Sequence, residues 1–258
     1  DGLTTAQEAG VFSNNSRAAE LLGIPNLKQE TSQNFSGGLT AKFVNAGFKV
    51  TLDGFLVNIQ DRIVLTGRFQ PGDDIELQQI FSQAQADAAA FFANAIDTRT
   101  VGGDLVISHR TALGKGSLTN NFAATYSQTT QVGDIKASPL LEEKKLVDTY
   151  FDETSRIYLE KAVPRIKFTL SNTLRMNALT VYLRNTYFGE TTEATDITSL
   201  DPSVNYIYSG KVITDLSLGY QLANNWSITI GANNLLDVYP DEADPTFQSS
   251  GRFVYSRR

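Results

Sequence analysis

Residues 211–237 read KVITDLSLGYQLANNWSITIGANNLLD. Val212, Leu216, Leu218 and Tyr220 alternate with Ile213, Asp215, Ser217 and Gly219, and beyond Ala223-Asn224-Asn225 the pattern resumes, with Trp226, Ile228, Ile230 and Ala232 against Ser227, Thr229, Gly231 and Asn233. A period of two with one apolar and one polar face describes a β-strand, and Asn-rich residues between two such runs describe a hairpin.

The same pattern extends through the 258 residues. Ile166, Phe168, Leu170 and Leu174 alternate with Lys167, Thr169, Ser171 and Thr173, broken only by Asn172; Leu179, Val181 and Leu183 alternate with Thr180, Tyr182 and Arg184. Leu118, Phe122, Ala124 and Tyr126 oppose Thr119, Asn121 and Thr125, as Phe35, Leu39 and Phe43 oppose Ser36, Thr40 and Lys42. Around Gly54 the apolar set changes phase, from Phe48, Val50 and Leu52 to Phe55, Val57 and Ile59, which predicts a β-bulge there.

Connections alternate in length. Short turns fall at Asn45-Ala46-Gly47, Gly114-Lys115-Gly116, Arg175-Met176-Asn177 and Ala223-Asn224-Asn225, and long connections run over 66–98, 130–163, 190–208 and 239–250. A soluble sandwich has no reason to collect its short turns at one end, whereas an outer-membrane barrel has short periplasmic turns and long extracellular loops. Phe43 and Phe48 flank one short turn and Tyr220 and Trp226 another, where a periplasmic aromatic girdle belongs. Helical spacing of Leu77, Ile80, Phe81, Ala84, Ala88 and Phe91 predicts an amphipathic helix in the first long loop, ending near Asn94.

Composition excludes several functions. Charged residues are 19% and hydrophobic ones 41%, so the chain folds, and no run approaches the ~20 apolar residues of a spanning helix. A net charge of −6 without a basic run argues against nucleic acid. Cysteine is absent, His109 is the single histidine and reads as structural, and Asp73-Asp74 and Glu142-Glu143 lack partners at ligand spacing. No catalytic site, metal site or cofactor is expected, and hence no enzyme. Asp1-Gly2-Leu3-Thr4 shows no signal-peptide pattern.

Nine strands are expected: Gln33–Phe43, Phe48–Leu65, Arg99–Ala112, Ser117–Gln128, Pro164–Leu174, Ala178–Phe188, Lys211–Leu222, Trp226–Asp237 and Gly251–Arg258. Bacterial single-chain barrels have even strand numbers, and an open edge in lipid leaves costly unpaired N–H and C=O groups. A portion of a larger antiparallel transmembrane β-barrel is the expectation, with further strands on both sides.

Ser217-Leu218-Gly219-Tyr220, followed by Trp226 to Asp237 with its Asn233-Asn234-Leu235-Leu236-Asp237 step, resembles the penultimate strands of TonB-dependent outer-membrane receptors. So do Gly23 to Ser32, Asp53-Gly54-Phe55 with Asp61-Arg62-Ile63, and Asn94 to Thr100 with Gly102 and Asp104, most closely in their Bacteroidetes form. The resemblance implies that residues 1–258 are the C-terminal segment of a 22-stranded barrel, with the N-terminal plug and last strand absent. It implies energised import of an iron chelate, cobalamin, glycan or peptide across the outer membrane of a Gram-negative bacterium. Partners would be outer-membrane lipid, the TonB complex through the missing N-terminal region, the remaining strands and plug, and a surface lipoprotein. A passive porin-like barrel and a soluble β-sandwich binding module are the alternatives. On the residues themselves, Phe91, Phe92, Tyr150, Phe151, Tyr206 and Tyr208 are expected either to stack on a substrate or to pack the loops. Lys167, Tyr182, Arg184 and Asp215 are expected to face the lumen, lining a solute path or anchoring a plug.

Overall fold

The computed structural model describes residues 9–84, 87–194, 205–223 and 225–242. The expected strand Gly251–Arg258 lies outside the described residues. In chain order the elements are β1 (Ala9–Phe12), α1 (Arg17–Leu21), β2 (Thr31–Phe43), a 3-10 turn (Val44–Ala46), β3 (Phe48–Leu65), α2 (Ile75–Ala84), β4 (Ala88–Leu113) and β5 (Gly116–Val132). There follow α3 (Pro139–Glu143), α4 (Val147–Tyr150), α5 (Glu153–Glu160), β6 (Ile166–Met176), β7 (Leu179–Phe188), β8 (Thr191–Glu193), β9 (Tyr206–Tyr208), β10 (Lys211–Ala223) and β11 (Trp226–Ala232).

Eight long strands form an antiparallel meander in the order β2-β3-β4-β5-β6-β7-β10-β11, with β1 parallel to β4 and β8-β9 a separate ribbon. Register carries each face across the wall. Leu39, Leu52, Leu105, Ala124, Phe168, Tyr187 and Val212 stand side by side, as do Lys42, Lys49, Ser108, Asn121, Ser171, Arg184 and Asp215 on the opposite phase. One face is thus apolar and the other polar, which is the alternation a transmembrane barrel needs between lipid and lumen. Asn172 breaks the apolar face without leaving its amide unsatisfied, because it donates to Asn120 Oδ1 at 2.7 Å. His109 is on the same face, its ring stacked on Phe48 with centroids 4.0 Å apart.

The turns show why their residues were chosen. Gly114 and Asn177 open two-residue hairpin loops with φ of 58° and 50°. Gly47 has φ of 67°, and a Cβ there would meet the Arg110 carbonyl oxygen at 2.4 Å.

Three expectations change. Gly54 is not a bulge: pairing runs unbroken past it to both neighbours, so Phe55, Val57 and Ile59 turn to the polar face, where Phe55 covers Gly102. The irregularity lies between Ile59 and Ile63, around Asp61 with φ of 56°. The loop helix stops at Ala84; Ala88 and Phe91 belong to β4, which is 26 residues long because its first part pairs with β1 and is covered on both faces. Finally, β11 ends at Ala232, since Asn234 turns left-handed with φ of 50° and its side chain holds Val238 N at 2.9 Å and Val238 O at 3.0 Å.

The hydrophobic core is not between sheets. It lies at the long-loop end, where α1, α2, α3, α4 and the start of β4 bury Ala19, Leu22, Phe69, Phe81, Phe91, Ile96, Leu141 and Tyr150 in one cap. Ser138 and Asp152 cap α3 and α5 by accepting from Leu141 N and Ser155 N.

Candidate lumen and loop-end site

The start of β4 and the end of β3 fasten the cap to the wall. Asn94 acts as a substitute peptide unit: its Oδ1 accepts from Lys28 N at 2.8 Å, while its Nδ2 donates to Lys28 O at 2.9 Å and Asp61 O at 2.6 Å. Asp97 accepts from Asp61 N at 2.8 Å, and Lys136 joins both carboxylates, at 2.7 Å from Asp61 and 2.5 Å from Asp97. Burial opposes the Lys136 charge, yet these two carboxylates raise its pKa overall. The segments around Lys28, Asp61 and Asn94, scattered in sequence, therefore meet in one network.

On the polar face, Arg184 donates to Asp215 through Nε at 2.7 Å and Nη2 at 2.6 Å, and Asn234 N donates to the other carboxylate oxygen at 2.8 Å. Asp215 thereby ties β7, β10 and the turn after β11. Lys167 lies over the Phe188 ring, 4.9 Å from its centroid. Lys167, Arg184, Asp215, Phe188 and Ile213 line one hollow of about 450 Å³. Tyr182 shares the face, one pleat nearer the turn end, beside Thr173 and Ser217 and outside this hollow.

Towards the loop end a second hollow of about 150 Å³ shares Phe188 and Ile213 and adds Pro164, Tyr208, Lys211, Tyr239 and Pro240. Its rim is built by Asp241, which accepts from Lys211 Nζ at 2.5 Å and from Ser209 N at 2.6 Å. Those contacts, that of Lys211 foremost, hold the Asp241 carboxyl down at about 2. An apolar lining with a neutralised charge pair at its edge suits the apolar part of a solute.

The loop aromatics separate by burial. Phe91, Tyr150 and Phe151 are in the cap core, where burial pushes the Tyr150 hydroxyl up to about 12. They pack loops and turn no ring face to solvent. Phe92 is half exposed beside the Asn14 contact to its carbonyl. Tyr206 and Tyr208 are brought together with ring centroids 5.1 Å apart, and the Tyr208 hydroxyl donates to Glu193 at 2.6 Å. Phe188, Ile213, Lys211, Asp241 and Asn234 escaped the sequence reading. Phe188 and Ile213 had a visible signal, being apolar residues on the polar phase of β7 and β10.

The family model described as TonB dependent receptor-like, beta-barrel matches residues 3–235. The chain belongs to this family. Its place is the outer membrane of a Gram-negative bacterium. Among solved structures, it is similar to the ferripyoverdine receptor of the outer membrane of Pseudomonas aeruginosa, at 14% identity over 84% of this chain and 24% of that one, with a TM-score of 0.53. The FrpB iron transporter from Neisseria meningitidis matches at 15% identity over 84% of this chain and 29% of that one, TM-score 0.56. The ferric enterobactin receptor of Pseudomonas aeruginosa matches at 19% over 81% and 26%, TM-score 0.51. At these identities the likeness is one of fold, and the chain spans about a quarter of the length of these TonB-dependent receptors. No curated protein matches.

Proposed function

We propose that this chain forms part of an outer-membrane active transporter that binds a scarce solute and imports it with TonB-transduced energy. The observation that carries the reading is the polar row that runs without a break from Lys42 on β2 to Asp215 on β10, as expected of a sheet that is one wall of a water-filled path. The two hollows sharing Phe188 and Ile213 lie along that path towards the loop end. Iron chelates head the solute classes, since the three solved structures named above are a ferripyoverdine receptor, an iron transporter and a ferric enterobactin receptor; cobalamin, glycans and peptides follow. The TonB complex, a plug, the remaining strands and a surface lipoprotein are the proposed partners. Catalysis forms no part of the reading.

Uptake by cells that carry or lack the protein tests it, using iron chelates, cobalamin, oligosaccharides and peptides in turn. Import of at least one class should depend on the protein and stop when the proton-motive force is collapsed. Protein-dependent entry that survives that collapse would make the barrel a passive pore.

A further inference from the structure

Charge at the turn end of the wall has a single sign. Lys42, Lys49, Arg110 and Arg175 stand on strands beside the short turns and Lys115 lies within one, whereas residues 40–51, 109–120, 172–183 and 219–230 contain no Asp or Glu. This happens in a chain whose net charge is −6.

All four strand-borne cations face the lumen. Lys42 pairs with Lys49, and that register leads through Ser108, Asn121 and Ser171 to Arg184. Arg110 leads through Thr119 and Thr173 to Tyr182, and Arg175 sits opposite Thr180. The five side chains are exposed, and none forms an ion pair among the described residues. At the loop end, by contrast, Lys28, Lys136, Lys144 and Lys211 all have carboxylate partners.

The wall does not relieve this charge itself. Lys42 and Lys49 are directly opposed like charges, an arrangement that weakens a strand pair. The lumen-face carboxylates farther up these strands, Asp53 and Asp104, lie about 13 Å from Lys49 and about 20 Å from Arg110, at ~3.3 Å per residue. From Lys42 on β2 to Arg175 on β6 is four strand spacings across the wall, about 19 Å, plus the four residues from Ser171 to Arg175 along the strand, about 13 Å. A small anion could reach Lys42, Lys49 and Arg110, which the register sets on neighbouring strands, but it cannot also meet Arg175. Lipid phosphates are on the wrong side, because the outward face at this level carries Phe43, Phe48, Leu118 and Leu174.

We infer that this basic rim seats an acidic protein surface, with carboxylates spread over about 20 Å, in or just below the turn end of the lumen. The inference rests on the assignment of the two faces of the wall and is independent of the solute carried.

The full chain in neutral detergent micelles, titrated with a fluorescent ten-residue glutamate peptide, tests it by anisotropy. Binding should weaken with added salt, and a ten-residue lysine peptide should not bind. With each cation contributing about two-fold, the variant K42Q/K49Q/R110Q/R175Q should bind about sixteen-fold more weakly. Undiminished binding by that variant, or equal binding of the lysine peptide, overturns the inference. So does a chain that ignores the glutamate peptide yet uses the same residues to capture phosphatidylglycerol vesicles, since the rim would then serve lipid. If the quadruple variant loses its β-sheet circular dichroism, Lys42→Gln and Arg175→Gln singly should each cost about two-fold, and no loss in either is equally fatal.

Discussion

The cap and the wall put their apolar side chains to opposite use. In the cap, Phe91, Ile96, Leu141 and Tyr150 are fully buried, while on the wall Trp226 and Ile230 are 72% and 73% exposed. The cap has its own hydrophobic core, assembled from loops and the start of β4. The wall has none: its apolar face is completed by lipid, and its cohesion comes from strand pairing. The two halves should therefore respond differently to the same kind of substitution.

Truncation in the cap has the largest expected effect. Phe91→Ala should cost about 3–5 kcal/mol by leaving a cavity, visible as faster amide exchange and proteolysis of residues 66–98 and 130–163 while wall circular dichroism is retained. Simultaneous loss of the wall signal would show that the two are one cooperative unit. Leu105→Arg places a charge in the middle of the lipid-directed row and should cost about 2–4 kcal/mol, read by urea unfolding from vesicles. A neutral result would mean that this face does not meet hydrocarbon.

Asp215→Ala strands the Arg184 guanidinium and Asn234 N–H on the lumen side, and should cost about 2 kcal/mol with loosening of the turn after Ala232. Exchange rates at 233–238 measure this, and unchanged rates would reduce the Arg184–Asp215 pair to decoration. The smallest effect concerns pH. Asp241 has its carboxyl lowered to about 2 by Lys211 and Ser209, so its contribution is present above the ordinary carboxylate range near ~3.9 and is lost as pH falls through about 2. Protection of the Ser209 amide, followed by exchange between pH 5 and 2, should decline only towards the acid end. Decline already complete by pH 4 would remove Asp241 from the rim.

The wall was legible because lipid on one side and water on the other imprint a period of two on β3 to β7, β10 and β11. The cap was not, for the same reason reversed. Residues 88–91 are buried on both faces, so Ala88-Ala89-Ala90-Phe91 carries no alternation and its apolar spacing imitates a helix. The pairing that decides the matter comes from Ala9–Phe12, nearly eighty residues away. Helices α3 and α5 did have local signals in Ser138 and Asp152, which a search for strands passes over. At the site, Lys167, Arg184 and Asp215 followed from phase, whereas the Asn234 contact required the strand to end early. The Asn-Asn step marks that stop through side-chain hydrogen bonds, which periodicity does not encode.

The meander also sets an order of events. Each long strand lies beside its predecessor in sequence, so the sheet can grow by adding one hairpin at a time with only local loop closures. The parallel docking of Ala9–Phe12 breaks that rule, because its template at Ala88–Phe91 emerges only after β2 and β3 are complete. Its docking thus closes a loop that contains both β2 and β3, a long-range closure unlike the hairpins that join the rest of the wall.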